Sequence, residues 1–375
     1  MILRIEIVTD SRRFAEIRED WQQLRERSNG YVFQDHDWIS GWLSGVRNRK
    51  EIKLHIALAW EGSQLRGVFP CAVHRRSGLR VLTWAAQLFS DYCDCVLDPI
   101  LDRANLLAAL WKGMAQSGGF DVINLQQVRP DAQCRAFLDR LAEVGTDMHP
   151  GDRKERCMRI ENHWPDGEAF VRSRSKSRRS NYTRGKRILA ELGGDVRFRL
   201  VEEGESTAPI VDEIIRLKQI WLQACDPEST QLGSDGAVLR AMLDKVVESR
   251  LARIFLLETG GRIAAASINF VYAQRMEAYF TAYDATFERA SPGTILIVDY
   301  ARWSFDRGLS HVDFLRGDEA FKGRLANAET ILSSFAGART LLGQVAVSGH
   351  RWLSRRRQRQ ETSPTNDEKE LEHVA

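Results

Sequence analysis

The stretch YDATFERASPGTILIVDYARWSFDRGL, Tyr283 to Leu309, holds the residue pattern with the most chemical promise in the chain. Ser291-Pro292-Gly293 stands between a strand-like end and an apolar helical run. Ser291 is a favoured N-cap, and Pro292 fits the first helical position, where its missing N–H costs nothing. Gly293 is the unusual choice, since inside a helix it costs up to ~1 kcal/mol against alanine. It leaves a backbone that a bulky ligand can approach closely. A helix start with free N–H groups and the positive dipole end is an anion site, and Arg289 adds a charge beside it. The segment therefore reads either as a phosphate cradle or as a helix cap that binds nothing. Other chemistries find no support: there is no G-x-S-x-G elbow, no G-x-x-x-x-G-K-[ST] loop and no H-E-x-x-H. Cys93 and Cys95, on alternating faces of a strand, would make poor metal ligands, so no metal site is expected.

A second charged feature is RSRSKSRRSNYTRGKR, Arg172 to Arg187, with eight basic residues and no acid. Tyr182, Gly185, Leu189 and Leu192 recur at three- and four-residue steps, so one narrow helical face can pack while the rest stays wet. Gly193-Gly194 suits a C-cap. The segment is either a solvated basic helix or a site for an anionic ligand. With Tyr182 its one aromatic, it has little for bases to stack on, and a nucleic-acid partner is not expected.

Composition frames these features. The 375 residues are 43% hydrophobic and 28% charged, ordinary for a globular protein, and at roughly 150 residues per domain two domains follow. A net charge of +3 is too weak to imply a polyanion partner. No apolar run nears the ~20 residues that span a bilayer, and MILRIEIVTD alternates like a strand and lacks the apolar core of a signal peptide. The protein is read as cytoplasmic, with six scattered cysteines reduced and mostly buried.

A weak internal repeat organises the chain. LHIALAWEGSQLRGVFPCAVHR (Leu54 to Arg75) and ARIFLLETGGRIAAASINFVYA (Ala252 to Ala273) each read as a hairpin about a glycine turn. Strand candidates follow in both halves, SDYCDCVLD (Ser90 to Asp98) and MEAYFTAYD (Met276 to Asp284). Helical stretches come next, Ala104 to Gln116 and Thr294 to Arg307, then strands within GGFDVINLQQV and RGLSHVDFLRG. Helical stretches also precede each hairpin, at Phe14 to Arg27 and Val211 to Ala224. The first half has no glycine between Gly78 and Gly113, so its equivalent loop lacks the ligand-compatible helix start. The second half is read as the working half, and the first as its partner or platform.

In this order the chain resembles the GNAT acyltransferases, and in particular their double-domain, CelD-like branch linked to cellulose and exopolysaccharide biosynthesis. The likeness is carried by GVFPCAVHR, SDYCDCVLDP, SKSRRSNYTRGKRIL, YDATFERASPGTIL and VDFLRGDEAFKGRL. The basic segment and DFLRGDEAFK are also similar to the Fem-type peptidyltransferases. The resemblance implies an α/β (α+β) fold of two tandem GNAT-like domains, each a mixed, mostly antiparallel sheet with flanking helices. Residues 1–160 would form the first domain, without a phosphate loop, 161–345 the acyltransferase domain, and 346–375 a disordered tail.

The resemblance further implies acyl transfer from acetyl-CoA, a co-substrate rather than a resident cofactor, to an amine of a sugar or small metabolite. The diphosphate would lie on Arg289, Ser291, Gly293 and Thr294, although the usual glycine pattern is reduced here to one glycine and a proline. A backbone N–H near Thr281 to Tyr283 would polarise the acyl carbonyl. Asp284, Asp318 or Glu319 would take the amine proton, and Tyr283 would protonate the thiolate. Lys322 is spaced to pair with Asp318, or else to touch the ligands. Each of these residues has a plain alternative as a cap, a loop acid or a packed side chain. Two further readings remain. Aminoacyl transfer from charged tRNA would use Arg178 and Arg179 to hold the RNA, and a non-catalytic module would use the basic segment to dock an anionic partner.

Overall fold

The structure is a computed structural model describing the chain apart from residues 1–2, 47–50, 141–146, 152–153, 226–231, 233–234 and 350–375. Most of the expected tail lies outside the described residues, and 346–349 belong to a helix over 341–349. The first half runs β1 (Arg4–Val8), α1 (Ser11–Glu16), α2 (Arg18–Ser28), α3 (His36–Gly45), β2 (Ile52–Glu61), β3 (Gln64–Arg76), β4 (Leu79–Trp84), β5 (Val96–Leu97), α4 (Arg103–Ser117), β6 (Val122–Val128), α5 (Arg135–Asp139) and β7 (Asp147–Pro150). The second continues with β8 (Glu155–Glu161), α6 (Gly167–Ser173), α7 (Lys176–Gly193), β9 (Val196–Leu200), α8 (Ala208–Cys225), α9 (Gly236–Glu248), β10 (Ala252–Thr259), β11 (Arg262–Tyr272), β12 (Arg275–Tyr283), α10 (Pro292–Asp306), β13 (His311–Arg316), α11 (Ala320–Leu325) and β14 (Ala328–Ala338). The class is α/β with a mixed sheet.

The repeat is real at the level of pairing. β2-β3-β4 is an antiparallel meander, and β4 then pairs in parallel with β6 across the helix α4. β10-β11-β12 is its counterpart, with β12 parallel to β13 across α10. The counterpart of β12 in the first half is thus β4, and the expected strand over Ser90 to Asp98 shrinks to Val96–Leu97. Ser90 to Cys95 form a loop, because Asp94 turns back to accept from the Cys95, Gln133 and Cys134 amides, an Asx geometry that competes with a ladder.

β14 joins the two sheets. Its first part, Ala328 to Leu332, pairs with β8, and its later part, Ser333 to Ala338, pairs with β6 and β7. β8 in turn pairs with β13, so residues before 160 already belong to the second half's sheet. Among the described residues three apolar cores follow, one inside each half and one between them. The shared core places Phe33 and Trp38 of the first half against Phe270 and Tyr279 of the second.

Close helix contact reinforces this seam. On α3, Gly41 and Gly45 sit one turn apart against α9, where an added Cβ would come within 2.8 Å of Met242 Cα and 2.6 Å of Val238 Cα. Gly45→Val must therefore push α9 off α3, with an expected loss of about 1–3 kcal/mol seen as a lowered Tm. An unchanged melting curve would show that the seam yields freely.

Candidate active site

The parallel pairing of β12 with β13 covers only Arg275↔His311, Met276↔Val312 and Glu277↔Asp313. Beyond it the strands part. One cause is visible in β12, where Ile268 opposes Phe280 and Asn269 opposes Ala278, leaving Tyr279 as an extra, bulged residue. A bulge bends its strand away from the neighbour. On β13, Leu315 takes a left-handed backbone (φ 58°), and its N–H is held at 2.8 Å by the Asp313 carboxylate. Tyr279 packs into the seam and donates its hydroxyl to the Phe89 carbonyl at 3.0 Å. Among the described residues, no side chain accepts from the β12 amides between Ala278 and Ala282.

The first half makes the same gap and fills it. β4 and β6 pair only at Val81↔Val122 and Leu82↔Ile123. Past that point the Gln87 carboxamide oxygen accepts from Trp84 N–H at 3.4 Å and from Gln126 N–H at 3.1 Å. Cys93 N–H donates to the Gln127 carbonyl at 2.9 Å. The loop after β4 thus occupies its own half's gap, which leaves the gap in the second half as the one with amides to offer.

At the far end of β12 the helix start takes shape. Pro292 heads α10, and the residue before it, Ser291, is left-handed (φ 54°) and makes no side-chain cap. The expected hydroxyl cap is therefore absent, because this backbone turns the side chain away from the first-turn amides. The Ser291 carbonyl instead accepts from Thr294 and Ile295. Among the described residues nothing accepts from Gly293 N–H, and Pro292 has none to place. The cradle thus offers one bare amide rather than a ring of them. An added Cβ at Gly293 would meet only Tyr283, at 3.6 Å, so Tyr283 stands beside the helix start. Arg289, in the 3-10 turn before the helix, and Thr294, in the first turn of α10, are both exposed, and the Thr281 hydroxyl bonds to Ser267 at 2.8 Å.

The proposed proton carriers separate clearly. Asp284 caps the 3-10 turn Ala285–Ala290 by accepting from Thr286 N–H and hydroxyl, and it pairs with Arg262 at 2.8 Å. Although burial opposes them, these donors hold its carboxyl below the ordinary range, a poor setting for a base. Asp318 is exposed. Lys322 pairs with Glu319 at 2.8 Å rather than with Asp318, because α11 begins at Ala320 and Glu319 is the residue one turn back. The buried Lys322 ammonium also donates to the Arg316 carbonyl at the end of β13.

Three groups that the sequence did not single out complete the mouth. Arg316 Nε donates to Asp91 at 2.5 Å and its Nη1 to Glu155 at 3.1 Å. Burial raises the Asp91 carboxyl above its usual value against the pull of Arg316. Lys218 on α8 lies 4.3 Å from the Trp221 ring centroid and 5.9 Å from that of Phe280, and burial lowers its ammonium. Asp91 lies in the SDYCDC stretch and Arg316 in VDFLRGDEAFKGRL, but the sequence gives neither a role there; Lys218 lies in a helix with no motif.

The basic segment runs from the end of α6 into α7, with Gly185 packed where a Cβ would lie 2.6 Å from the Ala290 carbonyl. Tyr182 donates to Asp299 of α10, and Lys186 reaches the same carboxylate at 3.0 Å. Leu189 is buried, but Leu192 is half exposed, since the face rotates off the protein in the last turn. Arg179 donates to the Arg172 and Arg174 carbonyls, whereas Arg178 stays exposed. Elsewhere, the loop form of Ser90 to Cys95 brings Asp94, Cys95 and Cys134 within 4.8 Å of one another, a grouping that the sequence reading, concerned with Cys93 and Cys95, did not consider. The carboxylate there already serves three backbone amides, and burial keeps both thiols protonated, Cys134 at about 11.

Residues 176–323 match the sequence profile of the family described as Acetyltransferase (GNAT) domain. No curated protein matches the chain significantly. Among solved structures, FemX is similar at 10% identity and a TM-score of 0.56, covering 88% of this chain and 96% of FemX. The C-terminal DUF2156 domain of a putative lysylphosphatidylglycerol synthetase from Agrobacterium fabrum reaches 0.54 at 14% identity, over 89% of this chain and 95% of that one. A conserved protein of unknown function from Bacteroides thetaiotaomicron reaches 0.52 at 13% identity, over 90% and 100%. Among the described residues no helix is long and apolar enough to cross a membrane. Residues 176–323 thus match a GNAT acetyltransferase domain, which supports an acyltransferase, and the two-halved fold around them is similar to that of FemX.

Proposed function

We propose that the chain moves an acyl group, in the first instance acetyl, from acyl-CoA to an amine of a sugar or small metabolite. The observation that carries this reading is the contrast between the two gaps: Gln87 fills the first, and the second keeps its β12 amides and the Gly293 N–H for a ligand. The pantetheine arm would add to the open edge of β12 by main-chain hydrogen bonds, as an extended peptide adds to a sheet. Its diphosphate would lie at the start of α10, with Arg289 supplying charge. A surface polysaccharide as the acceptor's destination rests on the CelD-like resemblance alone.

The chemistry then divides between the halves. A β12 amide polarises the thioester carbonyl. The amine attacks, a C–N bond forms, the C–S bond breaks, and the thiolate takes a proton from Tyr283. Asp91 receives the amine proton. Its raised pKa brings it nearer neutrality, where a general base works best, whereas Asp284 is held low. Arg316 and Lys322 position Asp91 and the end of β13.

A second reading keeps the site and changes the donor to charged tRNA. The exposed Arg178 and Arg184 on α7 favour it, with the Fem-type resemblance. Its affinity would fall steeply with salt.

Calorimetry with CoA tests the main reading. Gly293→Leu has room for its Cβ, so the fold should hold while CoA affinity drops at least about tenfold, the effect of blocking a close backbone approach. No heat with any acyl-CoA, or full affinity in Gly293→Leu, would remove the cradle. Asp91→Asn should lower kcat by about 10²–10⁴. In the wild type, activity should rise with pH as Asp91 loses its proton, and that acid limb should vanish in the variant. An unchanged limb would exclude Asp91 as the base.

A further inference from the structure

The helix over 341–349, which follows β14, turns its apolar residues outward. Leu341 is 80% exposed, Val345 72% and Leu342 59%. At i, i+1 and i+4 they share one face of about 100°. The opposite side is seated: an added Cβ at Gly343 would lie 2.1 Å from the Asp121 carbonyl, and Thr340 accepts from Gly343 N–H at 3.2 Å. The helix is therefore held in place with its apolar face in water, and monomeric proteins rarely leave such a face without a use.

The surroundings of this face are basic. Thr340 and Arg80 share the Asp121 carboxylate, at 3.1 Å and 2.8 Å. Arg80 lines a surface hollow with Arg75, Arg76 and a single acid, Glu51, and Arg339 is exposed one residue before Thr340. Aliphatic side chains bounded by guanidinium groups match the boundary between acyl chains and anionic headgroups. A nucleic acid would meet the arginines but has nothing for the leucines.

We propose that the 341–349 face docks on an anionic lipid surface, with Leu341, Leu342 and Val345 in the acyl boundary and Arg75, Arg76 and Arg339 at the phosphates. This goes beyond the acyl-transfer reading and is independent of it, since docking needs neither donor nor acceptor. The test is co-sedimentation of the full chain with vesicles of phosphatidylcholine alone, or mixed with phosphatidylglycerol.

The wild type should pellet with the mixed vesicles, less so as salt is raised, and stay in solution with the neutral ones. Leu341→Glu, Leu342→Glu and Val345→Glu together should weaken that binding at least about tenfold by removing the buried apolar area. Because the three positions are exposed, the melting curve should not move. Arg75→Glu with Arg76→Glu should weaken it too and reduce the salt dependence. Wild-type protein that ignores anionic vesicles would overturn the proposal, as would a triple variant that binds like the wild type. Light scattering that shows a wild-type dimer, split by the triple variant and without vesicle binding, would assign the face to a second copy instead.

Discussion

Everything at the candidate site depends on two parallel strands that stop pairing after three residues. A parallel ladder leaves no edge for a ligand, and buried amides must find partners. Once β12 and β13 separate, the amides of β12 need something to accept from them. In the first half that acceptor is built in, as Gln87. In the second it is left to the substrate. One geometric fault, made twice, thus yields a closed structural half and a receptive one, and the difference between them is a single carboxamide with its loop.

The loop that closes the first gap also reaches the second. Phe89 accepts from Tyr279, Asp91 from Arg316, and Tyr92 donates to Asp313 at 2.8 Å. Behind them Arg129 lies 5.3 and 4.7 Å from the Tyr31 and Tyr92 ring centroids, and Arg275 lies 4.2 Å from that of Tyr31. Arg275 also pairs with Glu277 at 2.7 Å, which burial pushes up to about 7. Buried ions of this kind add little net stability over apolar packing, yet removing one partner is costly. Their role here is to fix the orientation of the two halves, so that a carboxylate from one stands at the mouth of the gap in the other.

The repeat, the hairpins and the helix start at Pro292 were legible because periodicity and turn residues are local signals. The third strand of the first half was not. LRVLTW sits right after a tight turn, and SDYCDCVLD looked equally strand-like until Asp94 folded back on Gln133 and Cys134. The charges were read less well, because a sequence shows a charge without its partner. Arg179 serves two carbonyls and Asp284 serves a cap, while Asp91 and Lys218 carried no mark of their neighbourhood. Their meaning comes from residues more than a hundred positions away, such as Arg316 and Glu319.

The two carboxylates near β12 show why neighbourhood outranks proximity. Asp284 directly follows the strand that should hold the donor, yet it already accepts from a hydroxyl, an amide and a guanidinium. A proton on Oδ1 would disturb the cap, and one on Oδ2 the ion pair with Arg262. Asp91 arrives on a loop from the other half, where burial and Glu155 raise its carboxyl against the pull of Arg316 and Lys322. Protonating it relieves a desolvated charge rather than dismantling a cap. A base supplied by the first half also requires the amine to approach from that side. The acceptor's shape would then be read by the half that binds no donor, and loss of the donor cradle in that half would free its loops for recognition.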